Sequence, residues 1–152
     1  MSEHKAVISW RGTGPDFLQG KYSRAHTWTF DGGLTIPASA SPDNVPVPFS
    51  NPANLDPEEA FVAAISSCHM LTYLYLAYRR GFQVDSYEDQ AVGRMTKNDR
   101  GIPWVSSVTL RPAVGHGGER RPTPAEVDEL HHLAHEQCII ANSIKTQVTI
   151  AR

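Results

Sequence analysis

Cys68 and Cys138 are the only cysteines in the chain, and they are its best candidates for covalent chemistry. They stand far apart in sequence, so they are either inert members of a core or a redox pair that the fold brings together. A thiol is a nucleophile only as the thiolate, and an apolar setting opposes that ionisation. Cys68 sits among Ala63, Ala64, Ser66 and Ser67, small residues that leave space around its sulfur. Reactivity at Cys68 therefore requires a nearby cation. Arg24 is the best placed, because it alternates with Trp28 on one face of a predicted strand. A buried guanidinium there calls for a carboxylate, which Glu58 or Glu59 would supply. Arg11 and Lys21 are competing cations. In the plainer reading Cys68 is a small hydrophobe and Arg24 and the glutamates are solvated.

The histidines offer a second chemistry. His131, His135 and Cys138 fall at i, i+4 and i+7 on one helix face, and His69 follows Cys68 directly. Such spacing can hold zinc. No carboxylate or further cysteine completes a tetrahedron, so the expectation is no metal and no bound cofactor.

The element that must position Cys68 is a helix over 57–80. Asp56 suits the N-cap and Pro57 the first helical position, and Glu58 and Glu59 face the positive end of the helix dipole. Arg79 and Arg80 occupy the last turn, and Gly81 is the terminating residue. The helix is apolar on most faces, so other structure must wrap it, and an obligate dimer is the expected solution. Its length and hydropathy make it the one candidate membrane span. His69, Thr72 and the tyrosines at 73, 75 and 78 instead mark it as a buried core helix.

Around it, strands are expected over 4–11, 22–30 and 34–36, the last two joined by Asp31-Gly32-Gly33. A proline-rich segment, 37–55, reads as a long loop whose Val45, Val47 and Phe49 pack at the mouth of a site. Residues 82–96 and 104–114 form a hairpin about Asn98-Asp99-Arg100-Gly101. A second helix, capped by Thr123 with Pro124 and Glu126, runs to about Asn142, and 144–151 close the chain as a strand. The order βββ–α–ββ–α–β is an α+β fold with antiparallel sheet.

Composition sets the outer limits. A chain of 152 residues with 40% hydrophobic content suits a single domain, 1–152, with a real core. A net charge of -2 and a pI near 6.4 give no electrostatic case for nucleic acid or anionic membrane. No basic and apolar leader opens the sequence, and the expected location is the cytoplasm.

With these residues in view, the chain resembles the OsmC/Ohr family of osmotically inducible and organic hydroperoxide resistance proteins. The resemblance rests on Asp31-Gly32-Gly33 after a strand, Asn51-Pro52 through Asp56-Pro57-Glu58-Glu59, and the helix carrying Ala64 and Cys68. It extends to Ala134-His135-Glu136-Gln137-Cys138 before the last strand. It implies an intertwined homodimer with antiparallel sheets wrapped around two central helices and sites at the subunit interface. It also implies a thiol peroxidase with Cys68 peroxidatic, Cys138 resolving, Arg24 activating the thiolate and Glu58 holding the arginine. An external dithiol of lipoyl type would recycle the enzyme. Two departures bear on peroxide preference: Ile139 stands where the family usually has proline, and His69 and Met70 follow the first cysteine. The alternative is a family-like dimer that binds a small or hydrophobic molecule without peroxidase turnover.

Overall fold

Asp56 sets the register of the long helix. In the computed structural model, which describes residues 1–152, Asp56 Oδ1 accepts from the Glu59 N–H at 2.8 Å and Glu59 Oε1 accepts from the Asp56 N–H at 3.1 Å. This reciprocal box satisfies two backbone donors that would otherwise lack partners. The helix, α1, spans Pro57–Arg79. It ends in a Schellman motif: Phe82 N–H donates to the Ala77 carbonyl and Gly81 N–H to the Tyr78 carbonyl. Gly81 adopts φ 77°, a left-handed conformation that a side chain would strain.

The chain divides into two compact units, Met1–Ala60 and Phe61–Arg152. The first holds an antiparallel meander of β1 (Ala6–Ser9), β2 (His26–Phe30) and β3 (Thr35–Ala38). Both β1 and β2 are shorter than the alternation predicted. Residues 22–25 leave the sheet because Arg24 N–H donates to the Phe49 carbonyl of the long loop, not to a strand. That loop closes on itself. Leu55 N–H donates to the Pro37 carbonyl, Ser39 N–H to the Leu55 carbonyl, and Asn51 N–H to Ser39 Oγ at 2.9 Å.

In the second unit the predicted hairpin is two paired pieces. Residues 82–96 split into β4 (Gln83–Asp89) and β5 (Val92–Lys97), and 104–114 into β6 (Pro103–Leu110) and β7 (Pro112–Gly117). Both arms break at one level: Asp89 pairs with Pro112 in one sheet and Val92 with Thr109 in the other. Pro112 has no N–H to continue the ladder. Asp89 Oδ1 instead accepts from the Arg111 N–H at 2.5 Å, which holds the corner. The result is a β4–β7 ribbon and a three-stranded sheet, β5-β6-β8, with β8 at Gln147–Ile150. β8 runs parallel to β6, the one exception to the antiparallel pairing expected.

The second helix, α2, spans Pro124–Gln137, starting with the predicted Thr123–Glu126 capping box. It stops five residues before Asn142. The Asn142 side-chain amide donates to the Glu136 and Cys138 carbonyls at 2.9 and 2.8 Å, satisfying the helix end and turning the chain at Cys138. Two apolar clusters form the core of this unit. Ile65 with Val108 and Leu110 seats the first half of α1 on β6 and its neighbours. Tyr73 and Ala77 with Phe82, Leu130 and Ala134 pack its second half on α2 and β4–β7. The architecture is α+β, two helices with largely antiparallel sheet, as expected.

Candidate active site

The packing of α1 on α2 brings the two cysteines together. Cys68 projects from the middle of α1, and Cys138 stands at the C-cap of α2. The two thiols are close enough for Cys68 to act on the Cys138 thiol, and both are free, with no disulfide between them. Cys138 is 1% exposed. Its Sγ accepts from the Ala141 N–H at 3.4 Å. Burial is the main cause raising the Cys138 thiol above its ordinary value, and the neighbouring Cys68 adds to it. Cys138 thus remains a protonated thiol until a partner sulfur draws it into bond formation. Cys68 is partly exposed, where the sequence suggested burial. The two sulfurs therefore differ in environment: one is open to a reagent, the other held behind it.

Arg24 and Glu58 lie in the first unit, and they do not form the ion pair expected of them. The Arg24 guanidinium stacks 3.5 Å over the Tyr22 ring and donates to the Gly20 and Tyr22 carbonyls at 3.1 and 2.5 Å. Tyr22 in turn packs against Phe17 and Trp10, with centroids 4.6 and 5.7 Å away. Glu58 Oε1 accepts from Asn44 Nδ2 at 3.3 Å, and its Oε2 is buried without a partner. Glu59 is committed to the cap of α1. The carboxylate is thus free on one oxygen, and the guanidinium is held by carbonyls and an aromatic face in place of charge.

The histidines do not assemble as a metal site; no group of three or more metal-ligating side chains converges. His69 and His131 instead bond to each other across the helix interface, Nε2 to Nδ1 at 3.0 Å, and are 1% and 3% exposed. Their planes lie within 5° and their centroids 5.3 Å apart. With that nitrogen separation, the rings are coplanar and joined edge to edge, not stacked face on face. Tyr73 packs on His131 at 4.4 Å, and its hydroxyl bonds His116 Nε2 at 2.8 Å. This buried polar array was not foreseen. The i, i+4 histidine spacing pointed to the right helix face, but a His–His contact depends on how α1 and α2 pack.

The OsmC-like protein family profile matches residues 50–151. An OsmC-like protein of unknown function from Vibrio cholerae has a solved structure that is 53% identical, with a TM-score of 0.96 over 99% of each chain. Organic hydroperoxide resistance proteins from Elizabethkingia anophelis and Bacillus subtilis share the fold at 17% and 20% identity. The first has a TM-score of 0.71 over 100% of this chain and 97% of the other; the second has 0.66 over 97% and 98%. Among curated proteins, none matches the chain. The match over two thirds of the sequence, the Vibrio cholerae structure and the α1 cysteine facing the end of α2 lead to one family: the chain belongs to the OsmC-like proteins.

Proposed function

We propose that the chain is a cysteine-based hydroperoxide reductase, and that organic hydroperoxides are its main substrates. The observation that carries this reading is the nearness of a partly exposed thiol on α1 to a buried thiol at the end of α2, on which it acts. The printed names of two fold neighbours, as organic hydroperoxide resistance proteins, lend further support. The Cys68 thiolate attacks one peroxide oxygen; an S–O bond forms, the O–O bond breaks, and the alkoxide leaves as an alcohol after taking a proton. Cys138 then attacks the sulfenic sulfur. An S–S bond forms, the S–O bond breaks, and hydroxide takes a proton and leaves as water. An external dithiol, of lipoyl type by family resemblance, returns both thiols by exchange. The expected setting is the cytoplasm, where such a pair is kept reduced.

Arg24 is the proposed activating cation and Glu58 its orienting carboxylate. The unpartnered, buried Oε2 of Glu58 is a ready acceptor for a guanidinium. In this reading Arg24 exchanges its carbonyl partners for Glu58 in the reactive state.

The working unit is proposed to be a homodimer. Ala64, Ser67, Leu71, Tyr75 and Tyr78 are all exposed and recur three or four residues apart along α1. Leu71, Tyr75 and Tyr78 are 60%, 55% and 67% exposed. A continuous apolar stripe on the central helix is a seam for a second copy, with small residues allowing close approach beside Cys68.

Turnover of an organic hydroperoxide with a dithiol present tests the reading. Cys68→Ser should abolish it, and Cys138→Ser should form one sulfenic acid per chain and then stall. Full activity in Cys68→Ser would show that the nucleophile lies elsewhere. Failure of the unmodified protein with alkyl, lipid and hydrogen peroxides alike would favour the binding-protein alternative, to which the carbonyl-bound state of Arg24 also points.

A further inference from the structure

Arg24 is fixed along its backbone and loose at its tip. Its N–H donates to the Phe49 carbonyl at 2.8 Å, and its carbonyl is bonded to His26 Nδ1 at 2.7 Å. Trp28 Nε1 donates to His26 Nε2 at 3.0 Å, so that nitrogen is bare and Nδ1 carries the proton given to Arg24. Both peptide groups beside the Arg24 Cα are therefore tied down. What can move is the side chain.

Its tip rests on an aromatic nest. One turn of 3₁₀ helix, Phe17–Gln19, presents Phe17 to the Tyr22 ring, and Trp10 meets that ring edge-on at 72°. Trp10 is itself anchored, its Nε1 donating to the Ser23 carbonyl at 2.9 Å. The guanidinium covers Tyr22 and takes only neutral carbonyls as acceptors. Trp10 and Phe17 are 41% and 49% exposed, and a cation on a solvated aromatic surface is weakly held. Glu58 has what the nest lacks: a carboxylate with one oxygen buried and unpartnered, its other oxygen accepting from Asn44. The sheet puts it within reach. His26 pairs with Ala38, and Ala38 bridges Leu55 in parallel, so Arg24 and the first turn of α1 leave the sheet at the same end. Two strand spacings, about 10 Å, separate their backbones. An arginine and a glutamate side chain together cross that distance.

We propose that Tyr22, braced by Trp10 and Phe17, is a positioning residue that parks the Arg24 guanidinium away from Glu58. The side chain exchanges between the two seats by rotation about a fixed backbone, and the nest sets the share of chains whose arginine is ready to act. The inference rests on the activation of Cys68 by Arg24 proposed above and adds its control. The carbonyl-bound arginine is then a resting state of the same enzyme, held by a ring and released without any movement of the chain.

The test compares Tyr22→Leu, which removes the ring, with Tyr22→Phe, which keeps it, both on a Cys138→Ser background. Alkylation of Cys68 by iodoacetamide is followed between pH 6 and 9. Tyr22→Leu should react about two- to fivefold faster at pH 7, the gain expected when one exposed cation–π contact is lost. The gain should fade as pH rises and Cys68 ionises in every variant. Tyr22→Phe should react as the tyrosine protein does, and adding Arg24→Ala should erase the gain of Tyr22→Leu. A second readout sees the arginine directly. With isotope-labelled arginine, the Arg24 δ protons should resonate upfield in the Tyr22 ring current and move further upfield in Glu58→Gln, which weakens the second seat. No movement in Glu58→Gln would overturn the proposal, and this readout decides alone should Tyr22→Leu lose the native circular dichroism spectrum. The inference and the reading beneath it fail separately. If Arg24→Ala slows alkylation but Tyr22→Leu reacts no faster than Tyr22→Phe, the activation reading stands and the parking of Arg24 is overturned. If Arg24→Ala leaves alkylation unchanged, the activation reading fails, and the arginine resonances decide between one seat and two.

Discussion

Acidification should destabilise this protein through its buried histidine pair before most carboxylates titrate. His69 and His131 ionise near 6.5 in an unfolded chain and at about 4 and about 3 in the fold, chiefly because burial penalises the charged ring. The folded values are depressed, so protons bind the unfolded chain more tightly. The stability the pair contributes is complete above pH 6.5 and is lost as pH falls towards 4 and 3. At pH 5 each unfolded histidine gains about 2 kcal/mol from protonation and each folded one almost nothing, against about 0.2 kcal/mol at pH 7. The loss from pH 7 to 5 is therefore on the order of 4 kcal/mol for the pair, a large share of the 5–15 kcal/mol typical of a domain. This figure depends little on the folded values, provided both lie below 5. The perturbation that isolates it is His69→Gln/His131→Asn, which keeps amides in place of the rings but cannot titrate. Urea denaturation at pH 7 and pH 5, at one fixed protein concentration, gives the four stabilities. The variant should be weaker at pH 7 but should lose about 4 kcal/mol less than the unmodified protein on going to pH 5. An equal loss in both would refute the assignment of acid sensitivity to this pair.

Three other outcomes follow from named contacts. Gly93→Ala should cost about 1–3 kcal/mol in thermal or chemical denaturation, because its Cβ would sit 2.5 Å from Val62 Cγ2 in the packed face of α1. Leu71→Lys, on the exposed stripe of α1, should shift the protein from dimer to monomer or unfold it; sedimentation that finds a folded monomer of the unmodified chain at micromolar concentration would contradict the dimer. On a Cys138→Ser background, Arg24→Ala should slow alkylation of Cys68 at pH 7 by roughly tenfold or more, Arg24→Lys should slow it too, and Glu58→Ala less; an unmoved rate would assign activation to another cation.

What the sequence made legible was local. Asp56, Pro57 and Gly81 bound α1 to within a residue, and Thr123 with Glu126 fixes the start of α2, because each cap acts through side chains three residues away or less. The corner at Asp89 and Pro112 was hidden, since a carboxylate that accepts a backbone N–H from 22 residues away leaves no local sign. The early stop of α2 was hidden for the same reason: Asn142 looks like a helix residue until its amide is seen bonding the preceding carbonyls. Cys68 and Cys138 could be named as candidates by type, but their nearness depends on how α1 packs on α2. The Arg24–Glu58 pair was inferred from strand alternation, and the alternation ends before Arg24, where the Phe49 carbonyl takes its backbone N–H. The coplanar histidines lie furthest from sequence reading. His69 and His131 are 62 residues apart, and nothing in either helix's pattern requires them to meet.

The central claim is that Cys68 and Cys138 act together on a peroxide. Intact-mass and peptide analysis of the fully reduced protein, treated with a single equivalent of cumene hydroperoxide, tests it most directly. The account predicts that each chain loses two hydrogens and yields one Cys68–Cys138 cross-linked peptide, and that Cys138→Ser instead gains one oxygen at Cys68. Recovery of both cysteines as free thiols, or oxidation at methionine alone, would contradict it.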